Sequence, residues 1–195
     1  MKRAFMMVLS SAVATVAVSG ALTAQQTPQG AGRGTPQTGA AGTRAVADIK
    51  GDGIKGRAEL VERKDATGVV VDVMVTASGL KPGLHGVHLH AVGKCDPDFT
   101  AAGGHFDPGP ASNTDPDANH PFHMGDIPNL EVGQNGEGTL KTVTTRVTIS
   151  PGPLSIFDAD GTAIIIHGNP DQGITGEPKS GVSGGPRVAC GIFTK

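Results

Sequence analysis

The 195-residue chain carries 16 basic and 18 acidic side chains, a formal net charge of −2. That near balance argues against a face built for nucleic acid or for an anionic membrane surface. There are two cysteines and 7 histidines, and every histidine falls between His85 and His167.

The chain opens MKRAFMMVLSSAVATVAVSGALTAQQ. Lys2 and Arg3 form a basic start, a mostly apolar stretch runs from Ala4, and small residues follow at Ser19, Ala21 and Ala24. This is the pattern of a secretory signal peptide over 1–24, cleaved after Ala21 or Ala24. The apolar part is short and broken by Ser, Thr and Gly, which argues against a retained membrane anchor. Residues 25–43, QQTPQGAGRGTPQTGAAGT, hold no large apolar side chain. They cannot bury enough surface to offset their ordering entropy and read as a flexible tether. Residues 44–195 form one domain by length. Losing Lys2 and Arg3 with the signal leaves 14 basic against 18 acidic residues, a net −4. The expected location is periplasmic or secreted, with no stable membrane insertion after processing.

Within 44–195 no sustained helical period exists. Eight short strand-like runs are separated by Gly, Pro, Asn and Asp: residues 45–50, 56–63, 68–77, 84–90, 129–132, 138–149, 161–168 and 187–193. In the third, Val69, Val71, Val73 and Val75 share one face, with Asp72 and Thr76 on the other. The expected fold is all-β, an eight-stranded Greek-key barrel or sandwich. Two connections, 91–127 and 168–186, are long enough to be functional rather than merely connecting.

The fourth run, GLHGVHLH, places His88 and His90 on one strand face about 7 Å apart, close enough to chelate one ion. Val87 and Leu89 take the other face, and His85 shares their parity. His105, His120 and His123 lie in the first long connection, with Asp126 three residues further on, and His167 opens the second. If Val87 and Leu89 face the core, both connections fold over His88 and His90, and the imidazoles converge there. Six imidazoles and a carboxylate exceed the needs of one tetrahedral zinc and fit two metals. A nitrogen-rich set without thiolate suits Cu(II) and Zn(II). Cys95 and Cys190, an even count in an exported chain, point to a disulfide.

The ordered set KGDG, GLHGVHLH, AGGHFDP, HMGDIPNL, IIIHGNPD and GGPRVACG resembles the copper/zinc superoxide dismutase family of the exported bacterial kind, over residues 45 to about 193. The resemblance implies His88, His90, His105 and His167 as copper ligands. It implies His105, His120, His123 and Asp126 as zinc ligands, with His105 shared as a bridging imidazolate. Asp171 is implied as the carboxylate joining a copper histidine to a zinc histidine, and Arg187 as the arginine that guides the anion to copper. His85 is implied to be structural. The implied catalytic residues are His105 and Arg187, and the implied cofactors are copper and zinc. The implied reaction is disproportionation of superoxide to dioxygen and hydrogen peroxide, as antioxidant defence outside the cytoplasm. A homodimer is left open.

One departure from the family stands out. His120 follows His105 by fifteen positions, and only Pro121 and Phe122 lie between His120 and His123. The rearranged loop GPASNTDPDAN leaves open whether His120 reaches the zinc site or faces solvent. His123 and Asp126 keep the family spacing. A second function class also stays open: an exported copper- or zinc-binding protein on the same fold, without turnover. Arg187 argues against it, because a carrier needs no substrate-guiding arginine. A zinc hydrolase is weaker still, since no carboxylate stands as a general base beside an open zinc.

Overall fold

The computed structural model describes residues 42–109 and 113–195. The expected signal and nearly all of the expected tether lie outside them. Eight strands form: β1 (Thr43–Gly51), β2 (Lys55–Asp65), β3 (Gly68–Ser78), β4 (Gly83–His90), β5 (Asp126–Val132), β6 (Glu137–Thr144), β7 (Ala163–His167) and β8 (Arg187–Ile192). They close into an antiparallel barrel in the order β1-β2-β3-β6-β5-β4-β7-β8. Chain neighbours β3 and β4 are not sheet neighbours, nor are β6 and β7, so two connections cross the barrel as in a Greek key.

Alternation sets the barrel interior. Val71, Val73 and Val75 of β3 are buried and pack with Ala58 and Leu60 of β2. β4 departs from simple alternation, because His85 through His90 are all buried. Val87 and Leu89 belong to the main core. His88 and His90, on the opposite face, are covered by the 91–125 and 168–186 connections, as the alternation required. β7 is likewise buried on both faces: Ile164 and Ile166 point into the main core, while Ala163 and Ile165 join Ala102 and Cys190 in a second cluster.

The expected sixth strand ran to residue 149, but β6 ends at Thr144. Val147 and Ile149 are buried with strand-like spacing, so the pattern misled. Their segment leaves the sheet because a side chain replaces the ladder. The carboxylate of Glu62 accepts from the Ile149 amide at 2.5 Å, the Ser150 amide at 2.8 Å and the Ser150 hydroxyl at 2.6 Å. That segment then forms a parallel bridge between Thr148 and Ser155.

Cys95 and Cys190 are bonded, with Cα atoms 5.9 Å apart and a sequence separation of 95. The bridge fastens the start of the 91–125 connection to β8. Between them a single 3-10 turn, Phe99–Ala102, is capped by Asp98, whose carboxylate accepts from the Thr100 amide at 2.8 Å. No helix among the described residues is long and apolar enough to cross a membrane.

Candidate metal centre

Six of the seven histidines meet on the outer wall of the barrel, and all six are buried. β4 contributes His88 and His90, and the end of β7 contributes His167. His105 pairs with His90 in an isolated bridge, which lays the first connection over β4. The His88 and His105 rings lie 4.2 Å apart between centroids, and His105 and His123 4.9 Å.

Two groups of ligand atoms emerge. His88, His90, His105 and His167 form the first, with their ligand atoms within 4.8 Å of one another. The second gathers around the Asp126 carboxylate. Its Oδ1 lies 2.7 Å from His105 Nδ1, and its Oδ2 lies 3.0 Å from His123 Nδ1 and 3.3 Å from His120 Nδ1. His88 also falls within 4.8 Å of His105, His120 and Asp126. Its Nε2 is engaged by Asp171 Oδ2 at 3.0 Å, which leaves His88 Nδ1 for the first group. His120 does not face solvent: the rearranged loop turns its ring inward beside Asp126. The fully buried His105 contributes to both groups.

Backbone carbonyls fix which nitrogen each ring presents. His90 Nδ1–H donates to Gly103 O at 3.0 Å, and His167 Nδ1–H donates to Gly185 O at 3.0 Å. Each therefore turns Nε2 inward, since a neutral imidazole has one donor and one acceptor. Gly184 lets the second connection pass this closely: it sits at φ 112°, and a Cβ there would fall 2.7 Å from the Cβ of His167. His85 stands apart, as its parity suggested. Its ring nitrogens lie 2.7 Å from His167 O and 2.8 Å from Lys81 O, so it props the strand ends from beneath.

Asp171 joins the two groups from behind. Its Oδ2 faces His88 Nε2, and its Oδ1 lies 2.6 Å from His120 Nε2. Asn129 holds it there in a reciprocal pair that no residue pattern signals. Asn129 Nδ2 donates to Asp171 O, and the Asp171 amide donates to Asn129 Oδ1, both at 2.9 Å. Arg146, also unforeseen, donates to the carbonyls of Pro121 and His123, both at 3.1 Å, and anchors the histidine loop to the end of β6.

The electrostatics differ between the groups. Burial pushes three rings of the first group toward neutral imidazole: His90 falls well below its ordinary value, His105 to about 4 and His167 to about 3. In the second group burial also opposes the charge on His120, but hydrogen bonds to Asp126 and Asp171 outweigh it and raise His120 to about 9. His123 is raised by Asp126 in the same way. Burial works against ionised Asp126 and Asp171, yet their histidine partners hold both well below the usual carboxylate range.

The residues present fit metal ions. Four buried ring nitrogens of the first group, His88 Nδ1, His90 Nε2, His105 Nε2 and His167 Nε2, have no hydrogen-bond partner among the described residues. Leaving such an atom unpaired costs about 1–3 kcal/mol. Four together are comparable with the net stability of a domain, about 5–15 kcal/mol. A cation accepting those lone pairs would remove the deficit.

Beside the first group a cleft of about 240 Å³ is lined by Asp117, His167, Lys179, Ser183 and Arg187, among others. Arg187 is half-buried and fixed, donating to Phe99 O at 2.7 Å and Gly103 O at 2.6 Å.

Comparison with known proteins agrees with this geometry. The sequence profile described as copper/zinc superoxide dismutase (SODC) matches residues 54–193. A superoxide dismutase [Cu-Zn] of Deinococcus radiodurans is 41% identical over 132 residues, 62% of this chain and 69% of that protein. Superoxide dismutase [Cu-Zn] 1 of Aquifex aeolicus is 36% identical over 150 residues, 75% of this chain and 83% of that protein. Among solved structures, a double mutant of a SOD-like protein from Bacillus subtilis matches with TM-score 0.60 and 31% identity. That match covers 75% of this chain and 95% of the other. The clock protein EA4 matches with TM-score 0.64 and 25% identity, covering 82% and 98%.

Proposed function

Because the chain belongs to the copper/zinc superoxide dismutase family, we propose that His105 bridges a copper held by the first group of ligands and a zinc held by the second. The protein is a superoxide dismutase, its substrate is superoxide and its cofactors are copper and zinc. His88, His90, His105 and His167 hold copper in this reading. His105, His120, His123 and Asp126 hold zinc. The observation that carries it is the His105 ring, with Nδ1 on Asp126 and Nε2 buried without a partner.

Bound copper supplies the one-electron chemistry by which one superoxide is oxidised to dioxygen and the next is reduced, taking up two protons, to hydrogen peroxide. The chain's residues do the rest. Nε2 of His105, buried and without a hydrogen-bond partner, would hold a proton only while not engaged by the metal, and would pass it to the forming peroxide. Asp171 fixes His88 and His120 together, so the two groups keep one geometry. Arg187 sets a fixed positive charge in the cleft of a chain that is net negative once its first 24 residues are gone. Such a local field can raise the encounter rate of a small anion by ~10–10³-fold. Export to an oxidising compartment is part of the proposal, supported by the Cys95–Cys190 bond and the signal-like first 24 residues.

The test is metal analysis of the purified protein together with a superoxide-consumption assay. One copper and one zinc per chain with rapid consumption is expected. Metals bound without turnover would return the carrier reading.

Arg187→Ala should lower kcat/KM several-fold at low salt, with copper content intact. It should also flatten the dependence of rate on ionic strength, because screening acts on the charge removed. An unchanged rate with unchanged salt dependence would contradict the guiding role.

Metal loading should show a proton asymmetry. His120, raised to about 9, holds a proton near neutral pH in the metal-free protein, and zinc must displace it. Zinc affinity should therefore rise with pH and level off above about 9. In the metal-free protein the same shift stabilises the fold fully below the unfolded value of 6.5, and that contribution is lost as pH rises through about 9. Calorimetric zinc titrations near neutral pH, in two buffers of different ionisation enthalpy, should report net proton release. No release would contradict a protonated His120.

A further inference from the structure

The rearranged loop does more than carry His120 and His123. We propose that Asp117 is a positioning residue for the anion entrance, holding the turn that presents Lys179 to the cleft. The proposal rests on the reading of that cleft as the route of superoxide to copper.

Asp117 is 4% exposed, and its carboxylate leaves its own loop to serve the other. It accepts from the Gly181 amide at 2.8 Å, the Ser183 amide at 3.0 Å and the Ser183 hydroxyl at 2.8 Å. Ser183 is itself buried. The Asp117 carbonyl accepts from the Gly176 amide at 2.8 Å, and the Thr175 hydroxyl donates to His120 O at 2.6 Å. Loop 113–125 thus grips loop 168–186 at both ends of the turn that bears Lys179. The turn needs the grip. Lys179 sits at φ 65°, a left-handed conformation unfavourable for a residue with a Cβ. Such a conformation persists where surrounding contacts over-determine it.

Position in the cleft makes this more than loop stitching. Asp117 and Lys179 line the same cleft as His167 and Arg187. A carboxylate there, taken as charge alone, repels an anionic substrate. Asp117 is useful to the reaction only through the turn it holds. The sign of its effect therefore separates the two roles: removing a mere charge speeds the anion's approach, whereas releasing the turn slows it.

The experiment compares copper- and zinc-loaded parent, Asp117→Asn, Lys179→Gln and the double variant, with rates expressed per bound copper. Asn keeps the volume of Asp and the oxygen that accepts both Ser183 donors but offers an NH₂ where the Gly181 amide needs an oxygen. Hydrogen exchange at the Gly181 amide should quicken at least about tenfold in Asp117→Asn, as expected when a hydrogen bond to a charged acceptor is lost. The rate constant at low salt should fall about two- to threefold with a shallower salt dependence. In the Lys179→Gln background the same substitution should still speed exchange but no longer lower the rate. Unchanged amide protection would overturn the proposal. So would an equal or higher rate, or a loss that persists undiminished without Lys179. Failure of the dismutase reading would look different, as a metal-loaded parent that consumes no superoxide.

Discussion

Replacing His167 by alanine is expected to abolish dismutation. The ring is 2% exposed, and its Nδ1–H is spent on Gly185 O, so Nε2 is the atom it offers to the first ligand group. No other histidine can take its place. His85 is engaged at both nitrogens by backbone carbonyls, and His120 and His123 face Asp126. Losing a residue that merely orients a metal ligand costs about 10–100-fold, so losing a ligand should cost more than about 100-fold. The strand should survive, because the neighbouring Ile164 and Ile166 carry the core packing of β7. Stopped-flow superoxide consumption with parallel copper analysis checks this. Near-full activity in His167→Ala would remove it from the copper set.

Removing the disulfide should produce the largest loss of stability. Cys95 and Cys190 are 95 residues apart in sequence, so the bond closes most of the domain into one loop. The chain-entropy relation gives about 4–5 kcal/mol for a loop of this size. Set against a typical net stability of about 5–15 kcal/mol, that is about a quarter or more of the total. Reduction should also reach the cleft. The carbonyls that hold Arg187 belong to Phe99 and Gly103, in the segment the bond fastens to β8. A Cys95→Ser, Cys190→Ser double variant should unfold at a clearly lower urea concentration than the oxidised parent. Equal midpoints would contradict the bond's stabilising role.

Much of this was legible in the sequence because it is local. The eight strands follow from alternating apolar residues punctuated by Gly and Pro, and the shared face of His88 and His90 follows from strand parity. What escaped was set by partners distant in sequence. β6 stops at Thr144 although Val147 and Ile149 continue its pattern, because Glu62, more than eighty residues earlier, takes up the Ile149 and Ser150 amides. The place of His120 could not be read from its spacing. It depends on Asp171, fifty-one residues away, and on the Thr175 hydroxyl at its carbonyl. Asn129, Arg146 and Asp117 carried no signal, since each acts through main-chain atoms of another loop.

The two sides of one ring, His105, are expected to serve two different metals. Anomalous diffraction from crystals of the metal-loaded protein, recorded at the copper and zinc edges, tests it directly. Copper is expected on His105 Nε2 among His88, His90 and His167, and zinc on His105 Nδ1 among His120, His123 and Asp126. A zinc bound without His105 or His120, or both metals lying on the same side of the ring, would contradict it.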